Sequence, residues 1–328
     1  MPRAWHLETR PKGKPTLADF ALKNIELPPL RDGMIRVRNL WLSVDPYMRG
    51  RMSDAKSYVA PFALGEPMEG GAIGEVIESK AESIAVGDLV QHMAGWRDEA
   101  VLPARAANKL PAVAVEPQKF LGVLGVPGAT AWYGLFDVAN AKAGDIVFVS
   151  AAAGSVGSAV VQIAKAKGMT VIGSAGGTEK CDYVRSLGAD RVIDYKAEPI
   201  LNALGAAAPD GIDVYFDNVG GDHLDAALAV ARNHARFAIC GMIGGYNDAT
   251  PPSFRFIMRI IAARIRIQGF LITDYLGRLG EFYSEMTPLV ATGAVTSRET
   301  LVEGLEAAPE AFLGLFEGAN IGKMLVRL

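Results

Sequence analysis

Only two cysteines, Cys181 and Cys240, occur in 328 residues, and they lie far apart with no C-x-x-C pair. That excludes a disulfide scaffold and a cysteine-built zinc lobe, and reads both as free thiols, buried or partly buried. Histidine is scarce too: the four, at positions 6, 92, 223 and 234, are scattered rather than set at metal-ligand spacing. Nor is there an excess of either charge. Lys and Arg number 33 against 36 Asp and Glu, a net charge of −3 spread along the chain. This gives neither a nucleic-acid footprint nor a basic face for membranes. The opening MPRAWHLETRPKGK carries basic residues with no apolar stretch behind them, so no signal peptide is read and a cytoplasmic setting is expected. One uncharged run, Ile146 to Ala164, reaches 19 residues, near the length of a membrane helix. Gly154 and Gly157 interrupt it after β-branched residues, so it reads as buried strand, glycine turn and buried helix.

What is present points to a two-domain α/β protein with a sizeable core, half of its residues being hydrophobic. Residues 1–121 read as β-rich: Met34–Leu40, Gly71–Glu78 and Asp88–Met93 are short apolar runs between Gly, Pro and Asp turns. From about residue 122 to 292, apolar strands alternate with helical stretches, the signature of a doubly wound parallel sheet. Strands are expected at Asp145–Ala151, Thr170–Ser174, Arg191–Asp194, Val214–Asp217, Arg236–Cys240 and Arg264–Ile272. Residues 293–328 return to short strands and complete the first domain. The Thr250–Ile261 stretch, with Phe254, Phe256 and Met258, reads equally as a substrate-pocket cover or as core.

The sharpest motif runs from Ser150 to Gly168. A strand leads into Ala152-x-Gly154-x-x-Gly157, and an amphipathic helix follows. This is the dinucleotide fingerprint with alanine in its first place: Gly154 lets the backbone approach a pyrophosphate, and Gly157 lets helix and strand pack closely. Ser155 and Val156 then open a helix whose N-terminus favours phosphate. An NAD site places an acid at the end of the second strand, about 20 residues on. Here that place reads Gly173-Ser-Ala-Gly-Gly-Thr-Glu-Lys180. Lys180, with Tyr195 after the third strand, suits an adenosine 2′-phosphate, and helical phase should turn Glu179 elsewhere. Both also read as ordinary residues, a solvated lysine and a packed tyrosine. Two glycine-rich stretches, Asp217 to Gly221 and Cys240 to Tyr246, stand at strand ends, where such sheets bind ligand.

Taken together, SVDPYMRGRM (43–52), GVPGATAWYGL (125–135), AAAGSVGSAVVQIAKAKG (151–168) and YFDNVGG (215–221) resemble a known family. ICGMIGGYN (239–247), RIQGFLI (266–272) and EGANIGKMLVRL (317–328) continue the likeness in the same order. The chain resembles the zinc-independent medium-chain dehydrogenase/reductases, in the group of leukotriene B4 12-hydroxydehydrogenase/prostaglandin reductase, plant double-bond reductases and curcumin reductase. The resemblance implies a GroES-like catalytic domain, a Rossmann domain and NADPH as cofactor. It assigns the cofactor to Gly154–Gly157, Lys180, Tyr195, Asn218 and Asn320. It adds Cys240, Gly241, Met242, Ile243, Gly244, Gly245 and Tyr246, and then Phe270, Leu271 and Ile272. It implies reduction of the carbon–carbon double bond of an enone or enal, including curcumin-like or 15-keto-prostaglandin-like substrates. Tyr246 would be the donor to the substrate oxygen, and Tyr47 would stand at the pocket mouth. A homodimer joined at the Arg264–Ile272 edge is also implied.

The sequence departs from the zinc relatives, since Val44-Asp45-Pro46 and Gly65-Glu66-Pro67-Met68-Glu69 stand where they carry ligands; no metal is expected. A quinone oxidoreductase on the same scaffold, and a non-catalytic NADPH-binding protein, remain as other readings.

Overall fold

Apolar, β-branched runs bounded by glycine turns become an antiparallel sheet in the first part of the chain. The structure is a computed structural model and describes residues 1–328 apart from Ala114 and Ala249. It divides into two units: Met1–Leu121 with Glu299–Asn320 and Met324–Leu328, and Gly122–Arg298 with Ile321–Lys323.

In the first unit Met34–Ser43 is the central strand. It pairs antiparallel with Ala72–Ser79 and Lys323–Arg327, and residues 34–38 also pair with Glu99–Pro103. Leu89–His92 continues the sheet beyond Ala72–Ser79. Val37, Val76 and Val90 are buried on one side. Phe20, Trp96 and Phe312 form a second core, their ring centroids 6.1–6.3 Å apart. Phe312 comes from the helix Ala308–Leu315, where only short strands were expected from the sequence. Pro309 in its first turn and the apolar face of Ala308, Ala311, Phe312 and Leu315 explain the helix.

The second unit is a six-stranded parallel sheet. Its order is Arg191–Asp194, Thr170–Ala175, Ile146–Val149, Ile212–Asp217, Ala231–Ile239, Arg266–Gly269. Strands covered on both faces by helices need no alternation, and Val147, Phe148 and Val149 are accordingly fully buried in succession. Consecutive strands first step outward from Ile146–Val149 in one direction, and the chain then resumes on its other side with Ile212–Asp217. The strand order therefore reverses between these two neighbours, which is where doubly wound sheets bind ligand.

The last strand is shorter than the alternating pattern of Arg264–Ile272 suggested. Arg264 has a φ of 53°, outside the strand region, and a 3₁₀ helix, Ile272–Arg278, takes over after Gly269. Phe254, Phe256 and Ile260 pack against the sheet core, while Met258 is exposed. The helix Val126–Tyr133 lay within a motif quoted above without being read as helical. Among the described residues no helix is long and apolar enough to cross a membrane.

Candidate functional site

The strand Ile146–Val149 ends in a tight turn in which Ala151 adopts a φ of 47°. The helix Ser155–Ala166 starts directly after Gly154, with no side-chain hydrogen bond capping its first turn. Its leading N–H groups thus have no side-chain cap, and the helix dipole favours an anion there. Gly157 is forced to be glycine: a Cβ would lie 2.3 Å from the Ala151 carbonyl oxygen. Gly154, at 3.2 Å from the same oxygen, is less constrained, consistent with a role in admitting a ligand rather than in packing. Behind the turn, the Gly322 N–H donates to the Ala153 carbonyl at 2.7 Å and clamps it.

The second strand, Thr170–Ala175, ends in Gly176-Gly177, and the helix Thr178–Ser186 follows. Glu179 is turned away and pairs with Arg298 at 2.9 Å. Lys180 is half-buried, and burial, reinforced by nearby Lys196, lowers its pKa from the usual lysine range. Tyr195 packs edge-on against His223, with centroids 5.2 Å apart, and its phenol reaches over Gly176. Lys180 and Tyr195 therefore frame one corner beside the ends of the second and third strands. Lys196 shares that corner and was missed in the sequence; its place directly after Tyr195 was the available signal.

The switch point is organised around Asp217, a fully buried residue. One carboxylate oxygen accepts from Tyr215 Oη at 2.6 Å, Ser150 Oγ at 3.1 Å, and the N–H groups of Val219 and Gly220 at 2.9 and 2.8 Å. Burial pushes the Asp217 carboxyl above its ordinary pKa, and these donors oppose the shift. All four contacts are donors, which matches an acceptor-only carboxylate. The Asp217 carbonyl also accepts from the Cys240 and Gly241 N–H groups at 2.9 and 3.1 Å. Asn218 is locked between them: its N–H donates to Ser150 Oγ and its side-chain amide to the Ser150 carbonyl, both at 2.8 Å. Asn218 and Val219 carbonyls in turn accept from Ile243 and Gly244. Ser150 and Asp217 thus hold both glycine-rich loops, although only the loops themselves stood out in the sequence.

Beside these loops opens a pocket of about 560 Å³, lined among others by Cys240, Met242, Tyr246, Phe270, Leu271 and Asp274. Tyr246 is half-buried, and its phenolic oxygen accepts the Met242 N–H at 3.3 Å. Phe270 packs edge-on against Phe216, and Ile272 begins the adjoining 3₁₀ helix. Desolvation, with the Asp217 charge, pushes the Cys240 thiol up to about 12 and keeps it protonated at neutral pH. Among the residues singled out from the sequence, Gly154–Gly157, Lys180, Tyr195, Asn218, Cys240–Tyr246 and Phe270–Ile272 all lie in the second unit, around the strand ends. Tyr47 and Asn320 belong to the first unit. Tyr47 precedes the turn of helix Met48–Arg51, and burial together with Asp45 raises its phenol above the ordinary value, so it is neutral.

Residues 3–110 match the family described as the N-terminal domain of oxidoreductase, and residues 155–292 match that described as zinc-binding dehydrogenase. The NADPH-dependent curcumin reductase of Escherichia coli is 40% identical over 99% of this chain and 96% of its own length. The chain belongs to the medium-chain dehydrogenase/reductase family. Within it, the NADP⁺-dependent 2-alkenal reductase of Nicotiana tabacum is 41% identical over 96% of this chain and 94% of its own. The crystal structure of CurA in complex with NADPH from Vibrio vulnificus superposes with a TM-score of 0.94 at 42% identity, over 99% of this chain and 98% of that one. Although one family description speaks of zinc, the described residues contain no group of three or more His, Cys, Asp or Glu able to hold a metal ion.

Proposed function

We propose that this member of the medium-chain family is an NADPH-dependent reductase of the carbon–carbon double bond of α,β-unsaturated ketones and aldehydes. The observation that carries this reading is the end-to-end likeness to curcumin and 2-alkenal reductases. The acid-free end of the second strand, the uncapped helix start and the glycine at 157 fit the cofactor. Gly154 to Gly157 would hold the pyrophosphate, Lys180 and Tyr195 the adenosine phosphate, and Asn218 with residues 240–246 and 270–272 the nicotinamide half. Asn320 keeps its assignment to the cofactor from the resemblance alone.

When bound, NADPH would supply hydride for the β-carbon of the substrate, with the α-carbon taking its proton from water. The chain's task is to hold the substrate carbonyl and to stabilise the negative charge that develops on its oxygen. Tyr246 is assigned that role. A phenol with a reference pKa of about 10 stays protonated at neutral pH and donates without being consumed. Tyr47, neutral and half-buried, is assigned to the substrate side as a pocket wall. Curcumin-like and 15-keto-prostaglandin-like molecules are the proposed substrate classes.

Turnover is proposed to need no zinc, because Val44-Asp45-Pro46 and residues 65–69 offer no ligand set. The exposed edge strand Arg266–Gly269 is proposed to pair with a second copy across a two-fold axis, and the enzyme to work in the cytoplasm. The Tyr246→Phe variant tests the mechanism. Loss of about a hundredfold in kcat with NADPH affinity retained is expected of an oxyanion donor; unchanged turnover would remove Tyr246 from the chemistry.

A further inference from the structure

The corner at the ends of the second and third strands holds more charge than Lys180 provides. A Cβ built on Gly176 would lie 2.8 Å from Tyr195 Oη and 3.0 Å from Lys196 Cε, so both side chains arch over the same bare backbone. The Lys196 N–H donates to Asp194 Oδ1 at 3.0 Å, which fixes the start of this lysine, and Gly177 donates to the same oxygen at 2.9 Å. Asp194 thereby becomes a turn cap with a pKa below the ordinary carboxylate value, held there mainly by the Gly177 N–H.

The local charge balance is informative. Glu179 and Arg298 neutralise each other. Lys180 and Asp194 would cancel if they stood alone, leaving nothing to attract a dianion. Lys196 tips the corner to a net positive charge. Among the described residues no carboxylate forms an ion pair with the ammonium of Lys180 or of Lys196. The Lys196 charge acts on Lys180, lowering its pKa beyond what burial does, and a phosphate between the two ammonium groups relieves that repulsion while accepting from both.

We propose that Lys196 is a second selectivity-determining cation, which with Lys180 and Tyr195 grips the adenosine 2′-phosphate that distinguishes NADPH from NADH. The proposal rests on the NADPH reading given above and extends it to a residue outside the family's assigned contacts.

The test is calorimetric titration of the intact enzyme with NADPH, NADH and adenosine 2′,5′-bisphosphate. It compares the wild type with Lys196→Ala, Lys196→Arg and Lys180→Ala. Lys196 is exposed, so its replacement leaves the fold in place. Lys196→Ala is expected to weaken NADPH and the bisphosphate about tenfold, the range of a charge-assisted bond. NADH should stay within about twofold of the wild type, and Lys196→Arg should restore most of the loss. The NADPH affinity of Lys196→Ala should also depend less on salt. If Lys196→Ala binds both phosphorylated ligands like the wild type while Lys180→Ala does not, Lys180 is the sole cation and the proposal fails. If the wild type binds NADH as tightly as NADPH, the cofactor reading itself is wrong and the proposal falls with it.

Discussion

The Glu179 carboxylate lies 2.9 Å from the Arg298 guanidinium, whereas Lys180, the next residue, is half-buried and feels the charge of Lys196 after the third strand. Adjacent helix positions diverge by about 100°, so one acid and one base are sent to opposite tasks. The acid nearest the end of the second strand is thus engaged by Arg298. Lys180→Ala should lower the preference for NADPH over NADH by about tenfold or more. Glu179→Gln should leave that preference within about twofold. The ratio of kcat/KM with the two cofactors checks both.

The Asp217 hub makes a prediction about stability and loop order together. Four donors converge on one buried oxygen, so Asp217→Asn keeps the shape but removes the charge those donors stabilise and buries an amide NH2 where Oδ2 has no partner. A cost of about 2–4 kcal/mol is expected from urea unfolding. Cofactor affinity should fall as well, because the side chain holds the Val219 and Gly220 N–H groups and Ser150 Oγ, and Ser150 in turn fixes Asn218. A variant as stable as the wild type with unchanged affinity would show that the loops hold themselves.

Gly157 should not tolerate even a methyl group. The Cβ would meet a backbone carbonyl oxygen at 2.3 Å, and a backbone atom in a clamped turn cannot step aside like a side chain. Gly157→Ala is therefore expected to cost about 1–3 kcal/mol and to weaken dinucleotide binding as the helix start shifts. Gly154→Ala, at 3.2 Å, should cost less stability. Thermal melts with and without NADPH separate the two effects.

Two buried histidines give the protein an acid limit. Burial lowers both His92 and His223 to about 4, below an unfolded value of about 6.5. Between those values the unfolded chain binds more protons than the folded one. Their contribution is therefore fully present above about pH 6.5, and is lost as pH falls toward 4, where the loss levels off. Each contributes roughly 3 kcal/mol over the whole window. His223 stacks parallel to Phe148, with centroids 6.4 Å apart, so His223→Phe should fit and flatten the decline. An acid melting curve as steep as that of the wild type would contradict this assignment.

The fold was largely legible because its signals are local. The glycine turn at 154–157, the small residues ending the second strand and the β-branched buried strands all act through near neighbours. The divergence of Glu179 and Lys180 was readable for the same reason, since helix phase separates them. What escaped depends on distant partners. Asp217 and Ser150 gain their roles from a strand junction 67 residues apart in sequence, which no local pattern reveals. The placing of Lys196 over Gly176 likewise joins two segments that are apart in sequence. The helix Ala308–Leu315 was hidden among short strands, and the edge strand was overextended because alternation alone does not show that Arg264 leaves the extended region.

The most direct test of double-bond reduction is product identification. The purified protein, with chelator present, is given NADPH and a 2-alkenal, an aryl enone or a simple quinone, and the products are identified by mass spectrometry and NMR. The expected result is the saturated aldehyde or ketone, formed with one equivalent of NADPH oxidised, and much slower turnover with NADH. An allylic alcohol, or turnover confined to the quinone, would contradict it.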